Sequence, residues 1–250
     1  MSNAAIRIDH LAFRYPGQPA PVFSELSLDV TKGERFGLFG PNGAGKTTLM
    51  NCMTGLLPFQ EGTITLLGTR VLAHHKTTNT LFGFVPQDFS FYQELSPVEN
   101  MAFFGAWYGL GKAQIKQKTA ELLEVLGLAA VAGKPVHKFS GGMKRRVNLA
   151  IGVMHEPAIL FLDEPTVGVD VQTRHAIIEY LKTLNQNGTT LVYTSHQLKE
   201  AEDLCNKIAL FDEGRIIAIG TLEELLTGNA EDQLEGLFIK LTGRDYRDTI

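Results

Sequence analysis

The chain of 250 residues is poor in sulfur and carries little excess charge. Its two cysteines, Cys52 and Cys205, are too few for a disulfide framework. Both fall in segments patterned as helix and read as buried thiols of a reducing compartment. A net charge of −4 and a pI near 6.0 leave no basic surface for a nucleic acid, so none is expected as a partner. No apolar run reaches the roughly 18 residues of a membrane span. The opening residues, Met1-Ser2-Asn3-Ala4-Ala5, lack a basic stretch followed by an apolar one, so no secretory signal is expected. Internal repeats and low-complexity linkers are absent too. What is there is 44% hydrophobic and 20% charged, an ordinary globular balance. The length suffices for one large domain or two intimate subdomains.

The first part patterns as β structure. Residues 6–13 and 23–30 alternate apolar and polar with period two, and Gly17, Pro19 and Pro21 mark the turn between them. Residues 35–39 form a short apolar strand feeding a glycine loop, followed by a helix over 47–54. Further strands are expected at 62–68 and 82–85. From about Pro97 to Met154 the pattern becomes helical, with Ile115, Leu122, Leu123 and Leu126 near one face of a helix over 112–126. Strands at 158–162 and 189–194 then alternate with helices at 172–184 and 198–204. Two closing strands, 208–211 and 215–219, flank the turn Asp212-Glu213-Gly214 as a hairpin. Alternating strands and helices predict an α/β fold with a mainly parallel sheet and ligands at its carboxyl edge.

Three motifs carry chemistry. Gly40-Pro41-Asn42-Gly43-Ala44-Gly45-Lys46-Thr47 meets all four fixed positions of the phosphate-binding loop G-x-x-x-x-G-K-[ST]. Its glycines let backbone N–H groups converge on phosphate, and the following helix presents its N-terminus to the same charge. Lys46 would meet the β- and γ-phosphates, Thr47 would ligate Mg²⁺, and Thr48 adds a hydroxyl near the α-phosphate. Ile159-Leu160-Phe161-Leu162-Asp163-Glu164 is an apolar strand ending in two carboxylates. Asp163 would hold Mg²⁺, and Glu164 would orient or deprotonate the attacking water. Between them, 23 residues before Asp163, Phe139-Ser140-Gly141-Gly142 offers a serine hydroxyl and glycine N–H groups at a helix start.

This ordered trio resembles the ATP-binding cassette (ABC) proteins, whose signature motif is usually LSGGQ, and the resemblance covers nearly the whole chain. Phe139 replaces the usual Leu, and Met143 stands where a Gln is usual, which removes one polar side chain from the nucleotide contact. The resemblance implies a P-loop NTPase core with a mainly parallel sheet. An N-terminal antiparallel β subdomain and a helical insertion carrying the signature complete it. It implies a cassette over 1–228, with the helical subdomain over about 90–154, and a C-terminal extension over 229–250. Tyr15 resembles the aromatic that stacks on adenine. Gln87 resembles the glutamine-loop residue that touches Mg²⁺ or water and couples to a membrane partner. Asp170, in Pro165-Thr166-Val167-Gly168-Val169-Asp170, resembles the residue that crosses a dimer interface. His196 resembles the switch histidine that meets the γ-phosphate.

By the same resemblance two chains would close head-to-tail around two ATP molecules. Each ATP would sit on the Lys46 loop of one chain and the Ser140, Gly141 and Gly142 motif of the other. The aromatic stretch 89–100 would be either core or a groove for a short helix of a transmembrane permease. That stretch and the tail 234–244 are most similar to ATPase subunits of bacterial exporters with a separate permease chain. The implied place is the cytoplasmic face of a membrane, beside a second, identical subunit. Two other readings compete with this one. A soluble ABC ATPase outside transport is disfavoured because translation-type members usually carry two cassettes and repair-type members carry long coiled coils. A regulatory module that holds ATP without hydrolysing it is disfavoured by Glu164 and His196, although Met143 favours slowed catalysis.

Overall fold

A computed structural model describes residues 3–72, 78–229, 231 and 233–243. The chain divides into two compact units, one formed by residues up to Leu81 together with those from Thr190 onward, the other by Phe82–Thr189.

The first unit holds an antiparallel sheet in the order β2-β1-β4-β5, built from β1 (Ala4–Phe13), β2 (Phe23–Thr31), β4 (Glu61–Leu66) and β5 (Thr69–Arg70). Ile6, Ile8, Leu11 and Phe13 turn inward, as do Phe23, Leu26, Leu28 and Val30. The period of two expected across both strands breaks once in each. Register shifts on either side of Leu11, with His10 at φ +47° and Glu25 at φ +53°, insert residues that return the apolar side chains to the core face. The unit's other strands lie in the order β10-β9-β3-β8. Here β3 (Arg35–Phe39) runs parallel to β8 (Thr190–Ser195) and β9 (Lys207–Asp212), while β10 (Arg215–Gly220) closes on β9 antiparallel. The hairpin turn places Glu213 at φ +44° and Gly214 at φ +76°, and a Cβ on Gly214 would fall 1.7 Å from the Val22 carbonyl oxygen. Only glycine fits there. Helices α1 (Lys46–Met53), α6 (Leu198–Leu204), α7 (Leu222–Asn229) and α8 (Leu234–Thr242) complete the unit. Cys52 lies inside α1, as expected. Cys205 sits one residue past α6 as its cap and is half-buried.

The second unit pairs β6 (Phe82–Val85) parallel to β7 (Ile159–Asp163). Three helices lie between them in sequence: α2 (Pro97–Trp107), α3 (Lys112–Val125) and α4 (Gly141–Val153). α5 (Val171–Gln186) follows β7 and buries Ile177, Ile178 and Leu181. On α3, Leu123 is buried while Ile115 and Leu122 are half-buried, the amphipathic face read from the spacing. α2 starts with a reciprocal cap: Ser96 Oγ accepts from Glu99 N–H at 3.3 Å, and Ser96 N–H donates to Glu99 Oε2 at 2.8 Å. The fold is α/β, with mostly parallel pairing in the mixed sheet and a separate antiparallel β subdomain. Among the described residues no helix is long and apolar enough to cross a membrane.

Candidate nucleotide site

The loop after β3 is shaped by three glycines for three reasons. A side chain on Gly40 would place its Cβ 2.0 Å from the Phe211 carbonyl oxygen. Gly43 takes φ +80° with open space around it, and Gly45 takes φ +108° as the N-cap of α1. No side chain caps α1, and no acid sits in its first turn. That helix start therefore favours negative charge from outside the chain. Lys46 is only 5% exposed, and its Nζ donates to the carbonyls of Gly40 (2.7 Å) and Pro41 (3.0 Å), which hold the ammonium over the loop. Pro41, Asn42 and Ala44 complete the ring, and Thr47 faces outward at the helix start.

Two further groups of this unit belong with the loop. The Tyr15 hydroxyl lies 3.0 Å from Thr48 Oγ1, and its half-open ring packs edge-on against Phe13 at 4.8 Å between centroids. Sequence reading expected both residues near the nucleotide but missed their bond, because 33 positions separate them. His196 follows directly after β8, where Ser195 Oγ caps the turn by accepting from Gln197 N–H at 2.9 Å.

The second unit carries the acidic end. All five residues of β7 are buried; Asp163 is 1% exposed and Glu164, one position further, 5%. Glu164 takes φ +48°, a left-handed conformation that costs a non-glycine residue on the order of 1–2 kcal/mol. The pairing Val85↔Leu162 puts Gln87 level with Glu164 when carried two residues on. Gln87 Nε2 indeed donates to Glu164 Oε2 at 3.3 Å. Sequence alone could not find this contact, since the register between two distant parallel strands is set by packing rather than by any local pattern.

The serine-glycine motif begins α4. Ser140 is its N-cap and accepts from Met143 N–H at 3.3 Å, leaving the hydroxyl proton and the amides of Gly141 and Gly142 for an outside acceptor. Asp170 caps α5 in turn, accepting from Thr173 N–H (2.9 Å) and Thr173 Oγ1 (2.7 Å). Those bonds pull its carboxyl below the usual range, the Thr173 hydroxyl most strongly. A Cβ on Gly142 would stand 3.3 Å from Thr173 Cγ2 and 3.7 Å from Asp170 Oδ2, so the two loops of this unit are neighbours.

The aromatic stretch divides between core and exposed surface. Phe91 is buried, while Tyr92 and Phe103 are exposed and meet edge-to-face at 4.9 Å. Buried Asn100 holds the turn, its Oδ1 accepting from Tyr92 N–H and its Nδ2 donating to Tyr92 O, both at 2.9 Å. Trp107, at the end of the same helix, is 70% exposed.

The pattern of the ABC transporter family matches residues 23–167, more than half of the chain. The chain belongs to the ABC transporter family. The linearmycin resistance ATP-binding protein LnrL of Bacillus subtilis is 44% identical over 200 residues, 80% of this chain and 64% of that protein. The Nod factor export ATP-binding protein I of Sinorhizobium fredii is 38% identical over 247 residues, 99% of this chain and 70% of that protein. The daunorubicin resistance ATP-binding protein DrrA3 of Streptomyces coeruleorubidus is 36% identical over 235 residues, 94% and 74% of the two chains. The chain thus spans about two thirds of the length of these relatives. A solved structure titled as the ATP-binding subunit of an ABC transporter superposes with a TM-score of 0.87 at 28% identity, covering 95% of this chain and 99% of the other. These matches bear out the resemblance to exporter-type ATP-binding chains. They make this ABC chain an ATP-binding one and, by class, an ATPase.

Taken unit by unit, the donors fit parts of a nucleoside triphosphate with a divalent cation. In the first unit an uncapped helix start and a buried ammonium suit phosphate, and in the second a pair of buried carboxylates suits a cation. Among the described residues no cluster of three or more His, Cys, Asp or Glu could cage a metal. A cation that keeps waters and shares phosphate oxygens needs no such cage.

Proposed function

We propose that the chain hydrolyses ATP to drive export of a substrate through a separate transmembrane permease, on the cytoplasmic face of the membrane. The observation that carries the hydrolytic part is the bond from Gln87 Nε2 to Glu164 Oε2, on a carboxylate that is buried yet held in a strained backbone. In this reading Gly40, Pro41, Asn42, Gly43, Ala44 and Gly45 wrap the phosphates, Lys46 and Thr48 bond them, and Tyr15 stacks on the base. Thr47, Gln87 and Asp163 would hold Mg²⁺, which when bound supplies Lewis-acid polarisation of the phosphate oxygens. Glu164 takes a proton from the attacking water, Gln87 aligns that pair, and His196 steadies the developing charge at the γ-phosphate.

The working form is a head-to-tail dimer with two composite ATP sites, completed by Ser140, Gly141 and Gly142 of the second copy, with Asp170 at the dimer interface. Closing on ATP and opening after hydrolysis would be the mechanical step delivered to the permease. The exposed Tyr92, Phe103 and Trp107 support a docking place for a short permease helix, since exposed aromatic patches mark interfaces. The cassette would cover 1–228, its helical subdomain about 90–154, and the extension 229–250, of which 230, 232 and 244–250 lie outside the described residues. Glu164→Gln should keep ATP affinity and abolish phosphate release. Turnover at the native rate would remove Glu164 as the base. Co-purification with an integral membrane permease separates this reading from a soluble ABC ATPase.

A further inference from the structure

Arg145 is a charged side chain that the reaction as described does not use, yet it is only 7% exposed. It lies on α4, five residues after the N-cap Ser140. Its Nη1 donates to the backbone carbonyl of Gln87. Its Nε points to the carbonyl of Val167, three residues after Glu164, at 3.4 Å. The guanidinium carbon sits 4.8 Å from the Phe89 ring centroid, over the ring. Burial lowers the pKa of this arginine, and Asp88, Glu164 and Asp163 oppose that by favouring its charge. One turn further along the helix, Asn148 Nδ2 donates to the Pro86 carbonyl at 3.1 Å. Two side chains of one helix face thus grip consecutive carbonyls of the loop whose next side chain reaches Glu164.

Burying a guanidinium is costly unless its donors and charge are matched. Here its donors go to two backbone carbonyls, one on each of the two loops that carry Gln87 and Glu164. The planar fork does this from two different nitrogens, Nε and Nη1, a separation that a single ammonium nitrogen does not reproduce. With its carbonyl held from one side, the Gln87 peptide has little freedom to swing, and its side chain stays aimed at the carboxylate. The Phe89 contact ties the same guanidinium to the start of the aromatic stretch.

We infer that Arg145 is a positioning residue for hydrolysis: it holds the Gln87 loop and the loop after Glu164 in the register that aligns Gln87 with the catalytic carboxylate. This rests on Glu164 being the base, as proposed above. The test is steady-state ATPase kinetics with nucleotide affinity and melting temperature on Arg145→Met, Arg145→Lys, Gln87→Ala, Arg145→Met/Gln87→Ala and Glu164→Gln. Arg145→Met should lower kcat roughly 10–100-fold, the scale of a small misalignment, while KM for ATP stays within about threefold. Arg145→Lys keeps the charge and should still lose at least about tenfold in kcat, because one nitrogen replaces the two separated donors that reach Gln87 O and Val167 O. The double variant should fall within about twofold of Gln87→Ala alone, since Arg145 acts through Gln87. Multiplying effects of Arg145→Met and Gln87→Ala, or a full kcat in Arg145→Lys, would overturn the inference while Glu164→Gln remains inactive. If Arg145→Met does not fold, Arg145→Lys decides alone. An active Glu164→Gln would instead bring down the base assignment and this inference with it.

Discussion

Two helices of this chain begin where phosphate would bind, and they begin differently. α1 starts from Gly45 in a left-handed conformation, with no side-chain cap and no acid in its first turn. α4 starts from Ser140 in an extended conformation, and the serine's own oxygen already accepts from Met143 N–H. The first start has neither a side-chain cap nor an acid and so suits an outside anion. The second is stable by itself and keeps only the hydroxyl proton and two glycine amides to offer. A helix end that needs a ligand suits resident nucleotide binding. A helix end that is self-sufficient suits a contact made and broken once per cycle, as a composite site between two copies requires.

The difference can be broken most severely on the α1 side. Lys46→Ala should weaken ATP binding by about 100-fold, the scale of charge-assisted hydrogen bonds to phosphate, as measured by fluorescent-nucleotide titration of the single chain. Gly45→Ala should cost at least about tenfold, because alanine is strained at φ +108° and its Cβ would stand 3.0 Å from Val22 Cγ1. On the α4 side, Ser140→Ala should leave single-chain affinity within about twofold but lower kcat roughly tenfold, since the hydroxyl acts only on closure. Met143→Gln restores a polar side chain beside that hydroxyl and should raise kcat by about two- to fivefold, the worth of one neutral hydrogen bond. The smallest effect belongs to a helix start with no phosphate role. Ser96→Ala, at the cap of α2, should lower stability by about 1 kcal/mol in denaturant titration and leave ATPase kinetics of the isolated chain unchanged.

A chemical probe sharpens the same contrast between exposed and enclosed groups. Burial pushes the Cys52 thiol, inside α1, up to about 12. At pH 8 it is therefore protonated in the native protein and should resist alkylation, reacting only after unfolding. Mass spectrometry before and after denaturant reads this directly.

How much of this was legible beforehand depends on the range of the physics involved. The phosphate loop could be read because its chemistry fixes residue types at fixed spacing. β7 could be read because a strand buried on both faces is a continuous apolar run. The hairpin at Glu213-Gly214 was equally local. The bulge at His10 and Glu25 was not, since a period of two looks unbroken on either side of it. The Gln87–Glu164 contact spans 77 positions and follows from the register of paired strands. Arg145 was overlooked because a charged residue in an amphipathic helix reads as solvated. Spacing gives no signal for it either, because α4 is buried all round from Val147 to Val153 and no single inward face can be read off the pattern.

In the proposed dimer, one chain's uncapped α1 start and another's capped α4 start enclose the same ATP. Light scattering of Glu164→Gln with Mg-free ATP tests it most directly. ATP should shift the mass from 27.5 kDa to twice that value, and Ser140→Ala should raise the protein concentration needed for the shift roughly tenfold. A chain that binds ATP and stays at 27.5 kDa at every concentration would contradict it.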